Sequence, residues 1–329
     1  MEKALSLFPV VEYWAHFQGI EHQINIISLI ALGVVVGIMT GFFGIGGRFL
    51  MTPLLNILFN VPYNVAVGSE ICQMVGTSSM NIMKLRKMGN VDYKLAALLL
   101  GGAIIGVELG AHILEGLKMA GNITLMGKSI GLMFLVLSPV YAGVLLWIGA
   151  IIYRESKVAF KGELEMGDMT ALQFNMTAKL QTLQIPPMIS LPVSGIETIS
   201  LWVVVSVGFV TGLLVGFLGV GFSFIGMPAL IYVLGCPMVV AMSTDLFESL
   251  LAMIYGTLSH SLKGNIDLVL VILLLITTTL GVQIGTVLAR RFTGPRLRQV
   301  FTLVSFLVVL LSVLKIINQF GLTNFPSPF

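Results

Sequence analysis

Long apolar runs separated by short polar breaks dominate the chain. A helix needs about 20 apolar residues to cross a hydrocarbon core. Runs of that length fall at 24–44, 65–85, 93–114, 129–153, 198–218, 241–260, 266–289 and 300–318. Two shorter apolar stretches, 49–59 and 224–235, suit short tilted or re-entrant helices. The one long polar stretch, 154–197, carries Arg154, Lys157, Lys161, Glu163, Glu165, Asp168, Pro186, Pro187 and Pro192, and reads as an extramembrane linker. The pattern predicts an all-α polytopic membrane protein. An N-terminal segment, 1–23, precedes a first transmembrane repeat over 24–153. After the linker come a second repeat over 198–318 and a tail over 319–329. Within the N-terminal segment, residues 3–20 are expected to form an interfacial amphipathic helix with Leu5, Phe8, Trp14 and Phe17 on its apolar side. Pro9, Glu12, Glu21 and His22 break the run, so it does not read as a cleaved signal peptide.

The division into two repeats comes from a constant offset of 175 positions. Gly37, Gly41, Phe42, Gly44, Gly46, Phe49 and Pro53 fall on Gly212, Gly216, Phe217, Gly219, Gly221, Phe224 and Pro228. Gly89, Asn90 and Asp92 fall on Gly264, Asn265 and Asp267, and Gly106 and Gly110 on Gly281 and Gly285. Shared apolarity does not produce matches at Pro, Asn and Asp, so the repeat is a property of the sequence. Lys and Arg concentrate in cytoplasmic loops. If each half crosses five times, counting the short elements, the Lys84–Lys94 loop, the linker and Arg290–Arg298 share the inside. Of the 18 Lys+Arg, only Lys3, Lys118, Lys128, Lys263 and Lys315 are then outside. An odd number of crossings inverts the second repeat, an arrangement common among secondary transporters.

Composition agrees with this picture and excludes several others. Charged residues are 10% of the 329, against about 25% in soluble domains. A soluble enzyme, a disordered chain and a nucleic-acid binder are excluded, while 36 Gly suit close helix packing in lipid. Cys72 and Cys236 belong to no CxxC or metal-ligand cluster and read as free thiols. No nucleophile, metal or nucleotide motif occurs, so no cofactor is expected.

Candidate chemistry gathers at the repeated breaks. Gly44-Ile45-Gly46-Gly47-Arg48-Phe49 is mirrored by Gly219-Val220-Gly221-Phe222-Ser223-Phe224. A helix broken there exposes backbone N–H groups and a positive dipole end, which suits a small anion; the alternative is a pair of close-packing turns. Arg48 either faces that anion or snorkels to the interface. Downstream, Ser69, Glu70, Gln73 and Thr77 are matched by Ser243, Thr244, Asp245 and Glu248. Glu70 aligns with Asp245 and Gln73 with Glu248, each pair spaced i, i+3 on one helix face. Carboxylates among apolar helices mark cavities, proton paths or partners, although Ser69 and Asp245 also suit helix capping. Glu108 and His112, at i, i+4, read as a local pair, and His260 as an interfacial residue near a helix end.

Paired Phe-Gly-Ile-Gly-Gly-x-x-x-x-x-Pro and Leu-Gly-Val-Gly-Phe-x-x-x-x-x-Pro, each followed by a Ser/Thr-plus-acid helix, resemble the TauE/SafE sulfite exporter family of permeases. The resemblance covers about 30–115 and 205–317. It implies transport of small sulfur-containing or organic anions, such as sulfite, sulfoacetate or other sulfonates, across the cytoplasmic membrane. The central insertion and the acids at 70, 245 and 248 depart from the commoner pattern. The substrate is then expected against Gly44, Gly46, Gly47, Arg48, Gly219 and Gly221, with side chains Ser69, Gln73, Thr77, Ser243 and Thr244. Glu70, Asp245 and Glu248 are the candidate proton carriers. The expected partners are the anion, the lipid bilayer and protons as coupling ion; no nucleic acid is involved, and no sequence feature specifies an oligomeric state. A gated anion channel and an intramembrane enzyme working through Glu108/His112 or Glu70 are the competing readings.

Overall fold

The computed structural model describes residues 12–13, 24–43, 48–85, 91–125, 128–160, 185–219, 226–289 and 294–319. Its helices follow the hydropathy pattern. The first half holds α1 (Ile26–Phe43), α2 (Met51–Phe59), α3 (Tyr63–Leu85), α4 (Tyr93–Met119) and α5 (Leu132–Phe160). In the second half α6 (Leu201–Leu218) is followed by a short helical segment, 226–233, that ends in a π-helical turn at Ala229–Val233. Then come α7 (Met238–Leu262), α8 (Leu268–Ala289) and α9 (Gly294–Gln319). Moved by 175 positions, α1 superimposes in sequence on α6, and α3 and α4 begin where α7 and α8 begin. Among the described residues five helices are long and apolar enough to span a bilayer: those in α4, α6, α7, α8 and α9. Large apolar side chains such as Ile272, Ile276 and Leu280 line an outer face at helical spacing, as lipid contact requires.

The repeats are interlaced. α1 packs along α8, and α6, its counterpart, packs along α4. In lipid, helices gain nothing from hiding apolar surface, so close backbone approach through small residues drives such contacts. A Cβ placed on Gly37 would meet the Thr278 carbonyl oxygen, and one on Gly41 that of Val282. On the other crossing, Gly212 faces the Ala103 carbonyl and Gly106 that of Phe209. Contacts advance together along each pair, so α1 runs parallel to α8 and α6 parallel to α4. α3 and α7 cross centrally in opposite directions: Ile71 meets Gly256, while Ser78, farther along α3, meets Met253, earlier on α7.

Two predicted segments differ. Glu12–Tyr13 form a strand, β1, paired antiparallel with β2 (Ile24–Asn25), where an amphipathic helix over 3–20 was expected; the rest of that stretch lies outside the described residues. Within the 154–197 stretch, α5 runs on to Phe160 and the far end folds into a hairpin, β5 (Met188–Leu191) and β6 (Ile196–Ser200), while 161–184 lie outside the described residues. Its Leu191, Ile196 and Ile199 are buried with Leu95, Leu99 and Cys236, so apolar side chains on one face of the hairpin dock it on the helices. A further hairpin, β3 (Asn122–Leu125) and β4 (Lys128–Gly131), joins α4 to α5.

Candidate functional site

The crossing of α3 with α7 buries polar side chains in the middle of an apolar bundle. Ser69, Glu70, Gln73 and Thr77 lie along α3, and Ser243, Thr244, Asp245 and Glu248 along α7; all are buried. None caps its own helix, because α3 begins at Tyr63 and α7 at Met238. The capping expectation for Ser69 and Asp245 is therefore overturned.

Ser69 and Thr244 serve the opposite repeat. The Ser69 hydroxyl accepts from the Asp267 backbone N–H at 3.1 Å, just before α8. The Thr244 hydroxyl accepts from the Asp92 N–H at 3.1 Å, just before α4. These two bonds are repeat copies of each other, and each secures the loop before one half's helix to the other half. On the Asp92 side, Oδ1 accepts from the N–H groups of Lys94 and Leu95, and the Ser194 hydroxyl donates to Oδ2 at 2.7 Å. The Lys94 amine adds a bond to the Ser190 carbonyl at 2.9 Å, so the 188–200 hairpin straps this loop. Cys236 lies beside it, its thiol pushed up to about 11 by burial. It is a free thiol, as is Cys72. On the Asp267 side, Asn265 accepts from Asn64 at 2.9 Å and from the Lys118 amine at 3.3 Å.

Gln73 and Thr77 line a small cavity with Glu70, Thr40 of α1 and Thr278 of α8. It has room for about one water molecule. Gln73 donates to the Thr278 hydroxyl at 2.6 Å. Thr40 and Thr278 escaped the sequence reading because isolated hydroxyls in apolar spans carry no spacing signal. The one available hint was that Thr278 stands where the first repeat has Ala103.

The corresponding place in the second repeat is different. Asp245 lies against Gly226, leaving no space for a Cβ there. Glu248 is buried, and its Oε1 has no hydrogen-bond partner among the described residues. Ser243 spends its hydroxyl proton on the Val239 carbonyl at 3.0 Å. Of the glycine breaks, Gly44, Gly46, Gly47 and Gly221 lie outside the described residues, and Arg48 contributes its backbone to the 3-10 turn Arg48–Leu50 before α2. Gly219 closes α6 with φ 66°, a left-handed conformation that favours glycine.

The family model described as sulfite exporter TauE/SafE matches residues 29–312. The chain belongs to this family. Three proteins of Bacillus subtilis (strain 168), each named a probable membrane transporter protein, are similar to it. The one named YjnA is 24% identical over 294 residues, 88% of this chain and 99% of its own. YunE is 22% identical over 291 residues, 86% of this chain and 96% of its own. YdhB is 31% identical over 85 residues, 26% of this chain and 35% of its own. No solved structure matches the chain significantly. This TauE/SafE protein is a multi-pass transporter of the cell membrane.

Two isolated groups find firmer partners in this TauE/SafE fold than sequence suggested. Glu108 pairs with His112 at 3.0 Å as expected, and also accepts from Lys263 at 2.8 Å and Tyr255 at 2.9 Å. His260, expected at the interface, is fully buried. Its Nε2 lies 3.1 Å from the Gly216 carbonyl, which only accepts, so that nitrogen carries the hydrogen. The Tyr141 hydroxyl donates to the Leu218 carbonyl. Together they satisfy carbonyls in the last turn of α6.

Proposed function

We propose that this TauE/SafE chain is a secondary transporter for small sulfur-containing or organic anions such as sulfite, sulfoacetate or other sulfonates, built from two inverted repeats. The observation that carries the reading is the bond from the Lys118 amine to the Lys263 carbonyl at 3.3 Å. Lys118 ends α4, whereas Lys94 begins it, so Lys118 and Lys94 lie on opposite faces of the membrane. Lys263 shares the face of Lys118, yet it belongs to the loop that repeats the Lys84–Lys94 loop. Equivalent loops on opposite faces mean inverted halves. The parallel pairing of α1 with α8, taken with the opposite directions of α3 and α7, agrees, because together they require α2 and the 226–233 segment each to return the chain across the bundle.

In this reading the anion meets backbone N–H groups at the Gly44–Gly47 and Gly219–Gly221 breaks, with Arg48 supplying positive charge. Asp245 and Glu248 carry the coupling proton. Proteoliposomes loaded with unlabelled sulfite should take up labelled sulfite faster than empty ones. Equal or slower uptake would replace the carrier with a channel. In the same vesicles Glu248→Gln should retain exchange and lose accumulation driven by a pH gradient; retained accumulation would remove Glu248 from coupling.

Topology gives an independent check. In a chain lacking Cys72 and Cys236, a single cysteine at Lys87 should be protected from an impermeant thiol reagent in intact cells. One at Leu262, beside Lys263, should be labelled. The same outcome at both positions would end the inverted arrangement.

A further inference from the structure

We infer that the cavity among α1, α3 and α8 binds one small monovalent cation, sodium, as a ligand separate from the anion. A threonine hydroxyl has one hydrogen. Thr40 gives its hydrogen to the Val36 carbonyl at 2.8 Å, Thr77 to Met74 at 3.1 Å, and Thr278 to Leu274 at 2.5 Å. All three therefore turn lone pairs, not protons, toward the cavity.

Thr278 then serves as acceptor for Gln73, which fixes the amide with its nitrogen toward Thr278. The other end of that amide, Oε1, is left buried and without a hydrogen-bond partner among the described residues. The Glu70 carboxyl completes the lining. Among these side chains the second N–H of Gln73 is the only remaining donor.

An anion placed here would face oxygen lone pairs and a carboxylate. A cation would find oxygen ligands from three helices and one negative charge to balance its own. One carboxylate suits a monovalent ion. Divalent calcium and magnesium usually take several carboxylates or keep several waters, and the cavity has room for about one water. Thr40 also stands in the last turn of α1, where unpaired carbonyls carry the negative end of the helix dipole.

The second repeat supplies an internal comparison. The positions matching Thr40, Thr77 and Thr278 are Val215, Ala252 and Ala103, and Gln73 becomes Glu248. Among the described residues the second repeat offers no matching oxygen cage, so this site takes one ion per chain. Glu70 and Asp245, equivalent in sequence, have thus come to serve different ligands. The inference rests on the transporter reading only for the ion's purpose; binding is measured without transport.

The test uses the purified full chain in detergent at constant ionic strength, comparing sodium chloride with choline chloride. Sodium should raise Tm saturably, and labelled sodium should bind at one site per chain. The double variant Thr40→Val, Thr278→Ala copies the residues of the other repeat, and should bind sodium at least tenfold more weakly. Gln73→Leu, which removes the unpartnered oxygen, should weaken binding as well and serves if the double variant fails to fold. Equal melting in sodium and choline, or undiminished sodium binding in either folded variant, would overturn the site. Sulfite counterflow that proceeds with no sodium binding would remove this inference alone. Sodium binding without counterflow would remove the anion reading and leave the ion site standing.

Discussion

Gly212→Leu is expected to leave no monodisperse, folded protein, and its repeat counterpart Gly37→Leu to do the same. At both positions a Cβ would meet backbone: the Ala103 carbonyl oxygen and Cα for Gly212, the Thr278 carbonyl oxygen and Cα for Gly37. No side chain can swing aside there, so the helices themselves must part. Overpacking by small groups costs about 1–3 kcal/mol, and a leucine asks for several such groups. Parting the helices also forfeits the dispersion contacts that hold a membrane crossing together. Against a total stability of about 5–15 kcal/mol the leucine variants fall at the limit of folding. Alanine at the same positions should lower Tm by roughly 2–6 °C, which is the overpacking cost converted at a few degrees per kcal/mol. Gly101→Ala and Gly143→Ala are the controls, since nothing lies within 4 Å of a Cβ at either position. They should melt at or slightly above the parent, because alanine favours helix. A Gly212→Leu protein that elutes and melts like the parent would show that α4 and α6 do not pack in this way.

The second large effect is expected at Asp92. Asp92→Ala removes the acceptor for two backbone N–H groups at the start of α4 and leaves the buried Ser194 hydroxyl without its partner. Loss of the cap costs about 1 kcal/mol, and the orphaned buried hydroxyl about 1–3 kcal/mol more. Asp267, its repeat counterpart, is more exposed, and its side chain accepts from the Leu270 N–H at 2.8 Å, with no strap comparable to Ser194 among the described residues. Thermal melts should therefore order the variants with Asp92→Ala well below Asp267→Ala. Asp92→Asn, which keeps a capping oxygen, should fall between Asp92→Ala and the parent. The reverse order for the two alanine variants would mean that the hairpin does not secure the Asp92 loop.

The loop bonds and the glycine crossings answer different questions about how much could be read in advance. Gly37, Gly41, Gly106, Gly110 and their counterparts were visible as repeat matches, because a small residue required by backbone contact recurs at a fixed offset. Their partners were not visible, since a glycine carries no mark of which helix approaches it. Ser69 and Thr244 were visible as polar residues in apolar helices, and that reading placed them toward a ligand. Their hydroxyls instead meet the N–H groups of Asp267 and Asp92, some 150 to 200 positions away in sequence. Glu70 and Gln73 were legible because a buried carboxylate and amide are costly and therefore informative. Thr40 and Thr278 were not, because a threonine that bonds its own helix's carbonyl sits in an apolar span at little cost.

By itself, the sequence determined the apolar helical segments, the 175-position repeat and the acids inside the bundle. These follow from quantities written along the chain: apolar length against bilayer thickness, and identity at a constant offset. Tertiary structure alone decided that each repeat's first helix packs on the other's fourth, and that the 188–200 hairpin straps Asp92. It also decided that His260 closes the end of α6, and that one repeat collects oxygens around Glu70 while the other sets Asp245 against Gly226. In lipid every face of an apolar helix is equally at ease, so hydropathy does not say which face meets protein. That choice rests on backbone fit and on hydrogen bonds between distant segments, which exist only once the helices are together.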